Sequence, residues 1–460
     1  MTTAAETKTL DELRGQVSGR VITTGEDDYE IARQVKAGGY DLHPRAIVRV
    51  RNAQDVARVV TYARDTGAEL AVRSGGHSGA AHGSTEGGIV IDLVEMKGLD
   101  IDPAARTAWA ETGLTTGEVT VAAAEHGLAI GFGDTASVGI GGITTGGGIG
   151  YLVRKHGMTI DSVLAAEIVT ADGEILTVDE QNHPDLFWAI RGGGGNVGVV
   201  TRFLYRLQPL EGVVGGILVL PATPEAVEGF IAAAEAAPEE LSTIANVMNC
   251  PPMPFVPEEH HGSLVILGML CYAGDADAGE AAMAPFRALA EPLADLVKPI
   301  TYPEMYPPEE GAEDYRPTVV GRTFFMDHVG SAEAEAMVRH LSASDAPMRA
   351  VQLRVLGGAM ARVPADATAF AHRDRKIMAI CVAFHAGGDD QAAKDAWVEG
   401  LARELRQGAP GAYVNFLEAD DPGSVQRAYP GATGERLARI KAQVDPGNLF
   451  RRNHNVAPAG

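Results

Sequence analysis

Two glycine-dense runs constrain this chain more than any other feature: Arg73-Ser74-Gly75-Gly76-His77-Ser78 and, well downstream, the stretch from Gly139 to Gly150. Glycine beside a strand is unfavourable unless the backbone must approach something closely. Successive backbone N–H groups in tight turns form concavities that hold anionic oxygens. Two such loops, with a histidine planted in the first, point to a large ligand carrying a diphosphate and a reactive ring. An imidazole nitrogen is a competent nucleophile toward an electrophilic ring methyl, so His77 could tether such a ring; it could equally act as a base. His82 is the weaker candidate and is expected to face solvent.

The second run belongs to a longer segment, Gly131 to Gly150, in which Thr135, Ser137, Thr144 and Thr145 add hydroxyl donors to the glycine backbone. Its spacing resembles the dinucleotide fingerprint but lacks the strand–turn–helix context and the acid that follows it. No glycine run ends in Gly-Lys-Ser/Thr, which argues against a phosphate-loop hydrolase. A third segment, Asp185 to Thr201, couples Phe187 and Trp188, expected in the core, to the four glycines Gly192 to Gly195. That run admits a planar or polyoxygen group against the chain.

A chain of 460 residues exceeds the size at which one core keeps growing, so two domains are expected. Periodicity gives strands at 46–50, 70–72, 88–93, 107–111, 163–169, 175–177 and 199–207, with helices at 53–66 and 116–126 and short helices within 9–37. Beyond 208 the texture changes. Strands are expected at 216–221, 264–271, 351–355 and 378–383, and helices at 224–236, 279–290 and 395–407. This pattern suggests an antiparallel sheet with helices segregated to one face. Residues 299–317 read as a surface loop or cleft rim, 412–417 as extended and 434–444 as helical.

With 38 basic and 61 acidic residues the formal charge is −23, a field that repels nucleic acid and anionic membranes. Cys250, Cys271 and Cys381 are widely spaced and read as reduced core thiols; no metal-ligand spacing is present. The N-terminus lacks an apolar leader and no stretch has membrane-spanning length, so a cytoplasmic location is expected.

Taken in order, these segments resemble the covalent flavoprotein oxidases of the berberine-bridge-enzyme type, within the vanillyl-alcohol-oxidase superfamily. The resemblance includes Arg154-Lys155-His156-Gly157, the Tyr413-Val414-Asn415-Phe416 motif, and the tail Val444-Asp445-Pro446-Gly447-Asn448-Leu449-Phe450 with Asn453-His454-Asn455. It implies an α+β fold: a two-part FAD-binding domain of the PCMH type (1–208, its core about 40–208, plus the returning 412–460) and a substrate domain, 209–411, built on an antiparallel sheet covered by helices. It implies FAD bonded to His77. Many relatives carry a second tether on a cysteine; Thr135 stands there, so a single link is expected. The diphosphate is expected against Ser74 to Ser78 and Gly139 to Gly142, with Arg73 and Thr135 also in the implied cofactor set. Ser137, Thr145, Gly146, Gly150, Gly198, Val200, Asn415, Asn453 and Asn455 complete the implied cofactor set.

The implied activity is hydride removal from a C–O or C–N carbon of a small, aromatic or secondary-metabolite-like molecule, with O2 reoxidising the flavin to give H2O2. Alternatives are an oligosaccharide oxidase, a same-fold dehydrogenase using another acceptor, and a flavoprotein with a dead site. The last is motivated by the strand around 377–384, which carries no acid where plant relatives place a glutamate base. Tyr413, Asn415 and Phe416 are the tail candidates; on an extended strand only one of Tyr413 and Phe416 would face the flavin. Tyr315, Arg322 and His328 are further polar candidates, and Met248, Met253, Phe255, Met305, Phe324, Phe325 and Met326 a pool for an apolar pocket. A monomer or homodimer is expected, with no metal.

Overall fold

A computed structural model describes residues 8–306, 316–419, 421 and 423–460. Three principal sheets organise them. The first runs Arg20–Ile22, Ala46–Arg49, Ile89–Asp92, Leu70–Arg73, with the last three strands parallel. The Ala53–Thr66 helix covers it, begun by Asn52, whose side chain accepts from Asp55 N, and ended at Gly67 in the left-handed region (φ 68°). The second sheet is antiparallel, ordered Leu99–Asp102, Thr107–Glu111, Val199–Arg206, Val163–Val169, Ile175–Val178.

The third sheet has eight antiparallel strands, centred on Val213–Pro221, Leu264–Tyr272, Leu241–Asn249, Arg349–Val355, Ile377–Phe384 and Val319–Met326. Strand alternation divides its side chains. Val247, Leu353, Ala379 and Phe324 face one way, into a core with Phe230, Phe286, Met337 and Leu401 of four helices: Pro224–Ala236, Ala276–Arg287, Ser331–Ala343 and Gly388–Leu405. Asn246, Gln352, Arg354, Ile380 and Val382 face the other way, toward the glycine loops.

Several expectations are corrected. The sheet includes Leu241–Asn249 and Val319–Met326, which periodicity missed, and the helical layer has one more member, Ser331–Ala343. Residues 299–306 are not a surface rim: Lys298–Ile300 pairs with the sheet edge, and Tyr302, Met305 and Tyr306 are buried beside Tyr151. Tyr315 lies outside the described residues. The Gly139–Gly150 run holds a short helix, Ile140–Gly146, and Val414–Phe416 is a 3₁₀ turn.

The tail packs with the first two hundred residues. Ala412, Val414, Leu417, Tyr429 and Leu437 share a core with Phe132, Phe203 and Trp188, and Phe450 packs among Val48, Val59 and Ile91. Lys441, fully buried, donates to Phe450 O and Asn455 Oδ1 (2.6 and 3.1 Å), closing the last turn. The sheet is joined to the glycine-rich part by a buried ion pair: Arg373 donates to both oxygens of Asp161, each at 2.8 Å. Removing one partner of such a pair leaves the other uncompensated, at about 3–5 kcal/mol. Arg373→Ala should therefore lower the thermal midpoint by several degrees, and a calorimetric scan beside an Arg373→Lys control checks it.

Candidate active site

The three glycine segments, the tail and one face of the large sheet enclose a cavity of about 480 Å3. The Leu70–Arg73 strand delivers Ser74 to Ser78 to its wall. Arg73 itself turns its guanidinium away, donating to Asp92 (2.8 Å), Ala32 O (2.6 Å) and Gln34 O (3.1 Å), so it anchors the loop. Ser74 Oγ donates to Thr112 O (2.5 Å) and accepts from Gly141 N (3.2 Å), bracing the first loop against the second. The two loops meet glycine to glycine. A Cβ on Gly139 would overlap Ser74 Oγ and Gly75 N, and one on Gly75 would overlap Gly139 N.

His77 is half-buried in this wall, with Nε2 3.0 Å from Ser137 Oγ. Gly139, Gly141, Gly142, Thr135 and Thr145 line the cavity, as do Gly198, Val200 and Asn453. Gly146 stands behind Asn415, Gly150 abuts the Gly133 backbone, and Asn455 holds Lys441; these three do not line it. His82 does not face solvent. It packs edge-on to His454 (4.6 Å between centroids) at the cavity wall, and burial depresses the two imidazoles to about 3 and about 4, so both are neutral.

At the tail, the 3₁₀ turn brings residues three apart to one side, so Tyr413 and Phe416 both reach the cavity, their rings edge to face at 5.2 Å. Tyr413 Oη accepts from Gly148 N and from Asn415 Nδ2, each at 2.9 Å. Burial pushes this phenol up to about 12, and those two bonds and the Arg354 charge oppose the rise. Gly147 and Gly148, at φ 137° and 78°, let the chain turn beneath the Tyr413 ring.

The sheet supplies what the sequence reading missed. Arg354 is buried, donates to Asp134 Oδ2 (2.6 Å), Ile149 O (2.8 Å) and Gln352 Oε1 (2.8 Å), and lies over Phe416 at 5.2 Å. Gln352 in turn donates to Asn246 Oδ1 (2.8 Å). Glu418, also in the cavity wall, comes close to Gly79 and Gly321. The strand Val351-Gln352-Leu353-Arg354-Val355 alternates apolar and polar, and that period was the available signal. The same rule removes Arg322: it shares the helix-covered face with Val320 and Phe324, and pairs with Asp395 (2.8 Å) and Glu399 (3.2 Å). His328 is exposed beside Glu333. Of the seven Met and Phe residues named as a pool for an apolar pocket, most of which are expected as ordinary core, none lines this cavity.

The residues fit an FAD. The wall is glycine backbone on two sides, and Tyr429 Oη and Asn453 Oδ1 are buried in it with no hydrogen-bond partner. Those orphaned atoms suit a polyhydroxyl chain or a heterocycle. Among the described residues no group of three or more His, Cys, Asp or Glu could hold a metal ion, and no helix is long and apolar enough to cross a membrane. All three cysteines are buried.

Fold and cavity together define an FAD-linked oxidoreductase. The family model described as "FAD binding domain" matches residues 44–179, and "Berberine and berberine like" matches 412–457. The chain is 30% identical over 450 residues to the uncharacterised FAD-linked oxidoreductase YgaK of Bacillus subtilis, covering 96% of this chain and 98% of that one. It is 30% identical over 459 residues to (R)-6-hydroxynicotine oxidase of Paenarthrobacter nicotinovorans, with the same coverage. The solved xylooligosaccharide oxidase of Myceliophthora thermophila C1 superposes with a TM-score of 0.84 at 25% identity, over 98% of this chain and 99% of that one. The chain belongs to the berberine-bridge-enzyme-like family of FAD-linked oxidases, with the two-part α+β architecture of the vanillyl-alcohol-oxidase superfamily.

Proposed function

We propose that this enzyme oxidises a compact, largely apolar or aromatic molecule at a carbon bearing oxygen or nitrogen, with FAD tethered through His77 alone and O2 taking up the electrons. In this reading residues 1–208 and 412–460 hold the cofactor and 209–411 seat the substrate. Bound FAD supplies the two-electron acceptor and the path to O2. Tyr413 takes up the proton of the substrate's hydroxyl or amine. The base is its phenolate: the oxygen accepts from Gly148 N and Asn415 Nδ2, and Arg354 adds a positive charge, so three groups favour the ionised form that accepts the proton and becomes the neutral phenol. The single link is supported by Thr135, a hydroxyl in place of a thiol, at the cavity wall.

The observation that carries the substrate class is the state of the sheet face over the cavity. Its polar side chains, Asn246, Gln352 and Arg354, are bonded to one another and to Asp134. The half-exposed Ile380 and Val382, with Phe416, remain as contact surface. A sugar, with hydroxyls on every carbon, needs open polar partners; an aromatic ring does not. The nicotine-derived substrate in the name of one relative agrees with this. Matches to xylooligosaccharide oxidases, in sequence and in structure, support a second reading, oligosaccharide oxidation, more broadly than that name supports the first. Anaerobic mixing with aromatic alcohols, cyclic amines and xylo- or chito-oligosaccharides decides between them. Bleaching of the flavin absorbance by the first two groups is expected, and bleaching by oligosaccharides alone would replace the first reading with the second. Recovery of the colour in air, without an added dye, separates oxidase from dehydrogenase.

A further inference from the structure

We infer that Glu418 is a specificity-determining residue: its carboxylate, set under the cavity face of the large sheet, selects a substrate that carries a cationic nitrogen. The inference rests on the reading of a compact aromatic substrate and narrows it to amines. Its ground is the niche in which the carboxylate stands. Glu418 lines the cavity two residues after Phe416, and Leu417 between them is buried in the tail's core. A Cβ on Gly79 would stand 2.8 Å from Glu418 Oε1 and 2.9 Å from Oε2, and one on Gly321 3.6 Å from Oε1. Neither glycine has a positive φ, so what glycine supplies at both places is space. Gly321 pairs with Val382, and residues opposite each other across strands share a face. The carboxylate therefore stands between the end of the His77 loop and the apolar surface of Ile380, Val382 and Phe416 that would receive the ring.

The cations of the wall are otherwise engaged. Arg354 pairs with Asp134 at 2.6 Å and Arg73 with Asp92 at 2.8 Å, while Arg452, beside His82, donates to Ser84 O. Glu418 thus brings a negative charge to the sheet side of the cavity. A carboxylate accepts from several donors at once, so it serves the wall and a ligand together. The chemistry adds a second reason. An alcohol that loses its O–H proton and its α-hydride ends as a neutral carbonyl. An ammonium that gives one N–H proton to the base and its α-hydride to the flavin closes C=N with the freed lone pair and ends as an iminium cation. A fixed negative charge nearby attracts the ammonium that enters and the positive charge that develops as hydride leaves. The formal charge of −23 on the whole chain draws cations in the same sense.

The test titrates the flavin-loaded enzyme with phenyltrimethylammonium and with 2-phenyl-2-propanol, its neutral near-isostere, neither of which can give hydride in this chemistry. Binding is read from the change in flavin absorbance. The cation is expected to bind about tenfold or more tightly than the alcohol. Glu418→Gln should remove most of that ratio and leave the affinity for the alcohol unchanged, and Glu418→Asp should keep most of it. Gly79→Ala keeps the charge but pushes the carboxylate from its place, so it should also lower the ratio. Equal binding of the two probes by the unsubstituted enzyme overturns the inference, as does a ratio undiminished in Glu418→Gln. A loss of affinity shared equally by both probes assigns Glu418 a structural role and overturns it too. Should Glu418→Gln fail to hold flavin, an undiminished ratio in Gly79→Ala overturns it instead. If neither probe binds and only oligosaccharides bleach the flavin, the aromatic reading fails first and the inference with it; binding of the alcohol without preference for the cation removes the inference alone.

Discussion

His77→Ala is expected to release all of its flavin into the supernatant on acid precipitation, whereas the unsubstituted protein keeps its flavin in the pellet and stays fluorescent on a denaturing gel. The effect is all or none because a covalent bond is present or absent. Binding itself should survive. The cavity wall is made mostly of backbone from three glycine segments and of tail residues such as Asn453, none of which depends on the imidazole. The variant should therefore purify yellow. Peptide mapping of the unsubstituted protein should find flavin on the His77 peptide and on none containing Cys250, Cys271 or Cys381, which are buried away from the cavity. Acid-soluble flavin from the unsubstituted protein would remove the tether from the account.

Tyr413→Phe is expected to slow flavin reduction by about 10²–10⁴-fold, the usual contribution of a positioned acid or base. The ring remains, so packing against Phe416 and Phe370 is kept. Only the phenolic oxygen and the two bonds it accepts are lost. The pH dependence carries the sharper signature. Burial holds this phenol up at about 12, so below that value its deprotonated fraction rises tenfold for each unit of pH. Reduction by a fixed, non-titrating substrate should accelerate from neutral into alkaline solution in the unsubstituted protein. In Tyr413→Phe that alkaline limb should be absent. Stopped-flow reduction under anaerobic conditions reads both quantities, and an alkaline limb that persists in the variant would assign the proton to another group.

Legibility followed the locality of the signal. The Ala53–Thr66 helix and the Thr107–Glu111 and Val163–Val169 strands were found at their observed bounds, because cap, glycine stop and apolar period all lie within the segment. Leu241–Asn249 was missed because Ser242, Thr243, Asn246 and Asn249 dilute its apolar period, although pairing on both sides makes it a central strand. Arg322 was read as a site residue and Arg354 overlooked, for one reason: a strand states which residues share a face but not which face meets the cofactor. That choice is made by four helices packing on the other side. The glycine loops were legible because close backbone approach needs glycine whatever the partner. His82 was misjudged because its burial comes from His454, which reaches it from the far end of the chain. The turn at Val414–Phe416 likewise depends on surroundings that no local pattern encodes.

The seating of the tail has a consequence for biosynthesis. Tyr413, Asn415, Asn453 and His454 line the cavity, yet they leave the ribosome after every strand of the large sheet. The nascent chain can complete that sheet and its helical layer while the cofactor cavity still lacks a wall. Stable loading with FAD is therefore expected only once the tail is in place, and a released chain ended at Gly411 should be colourless.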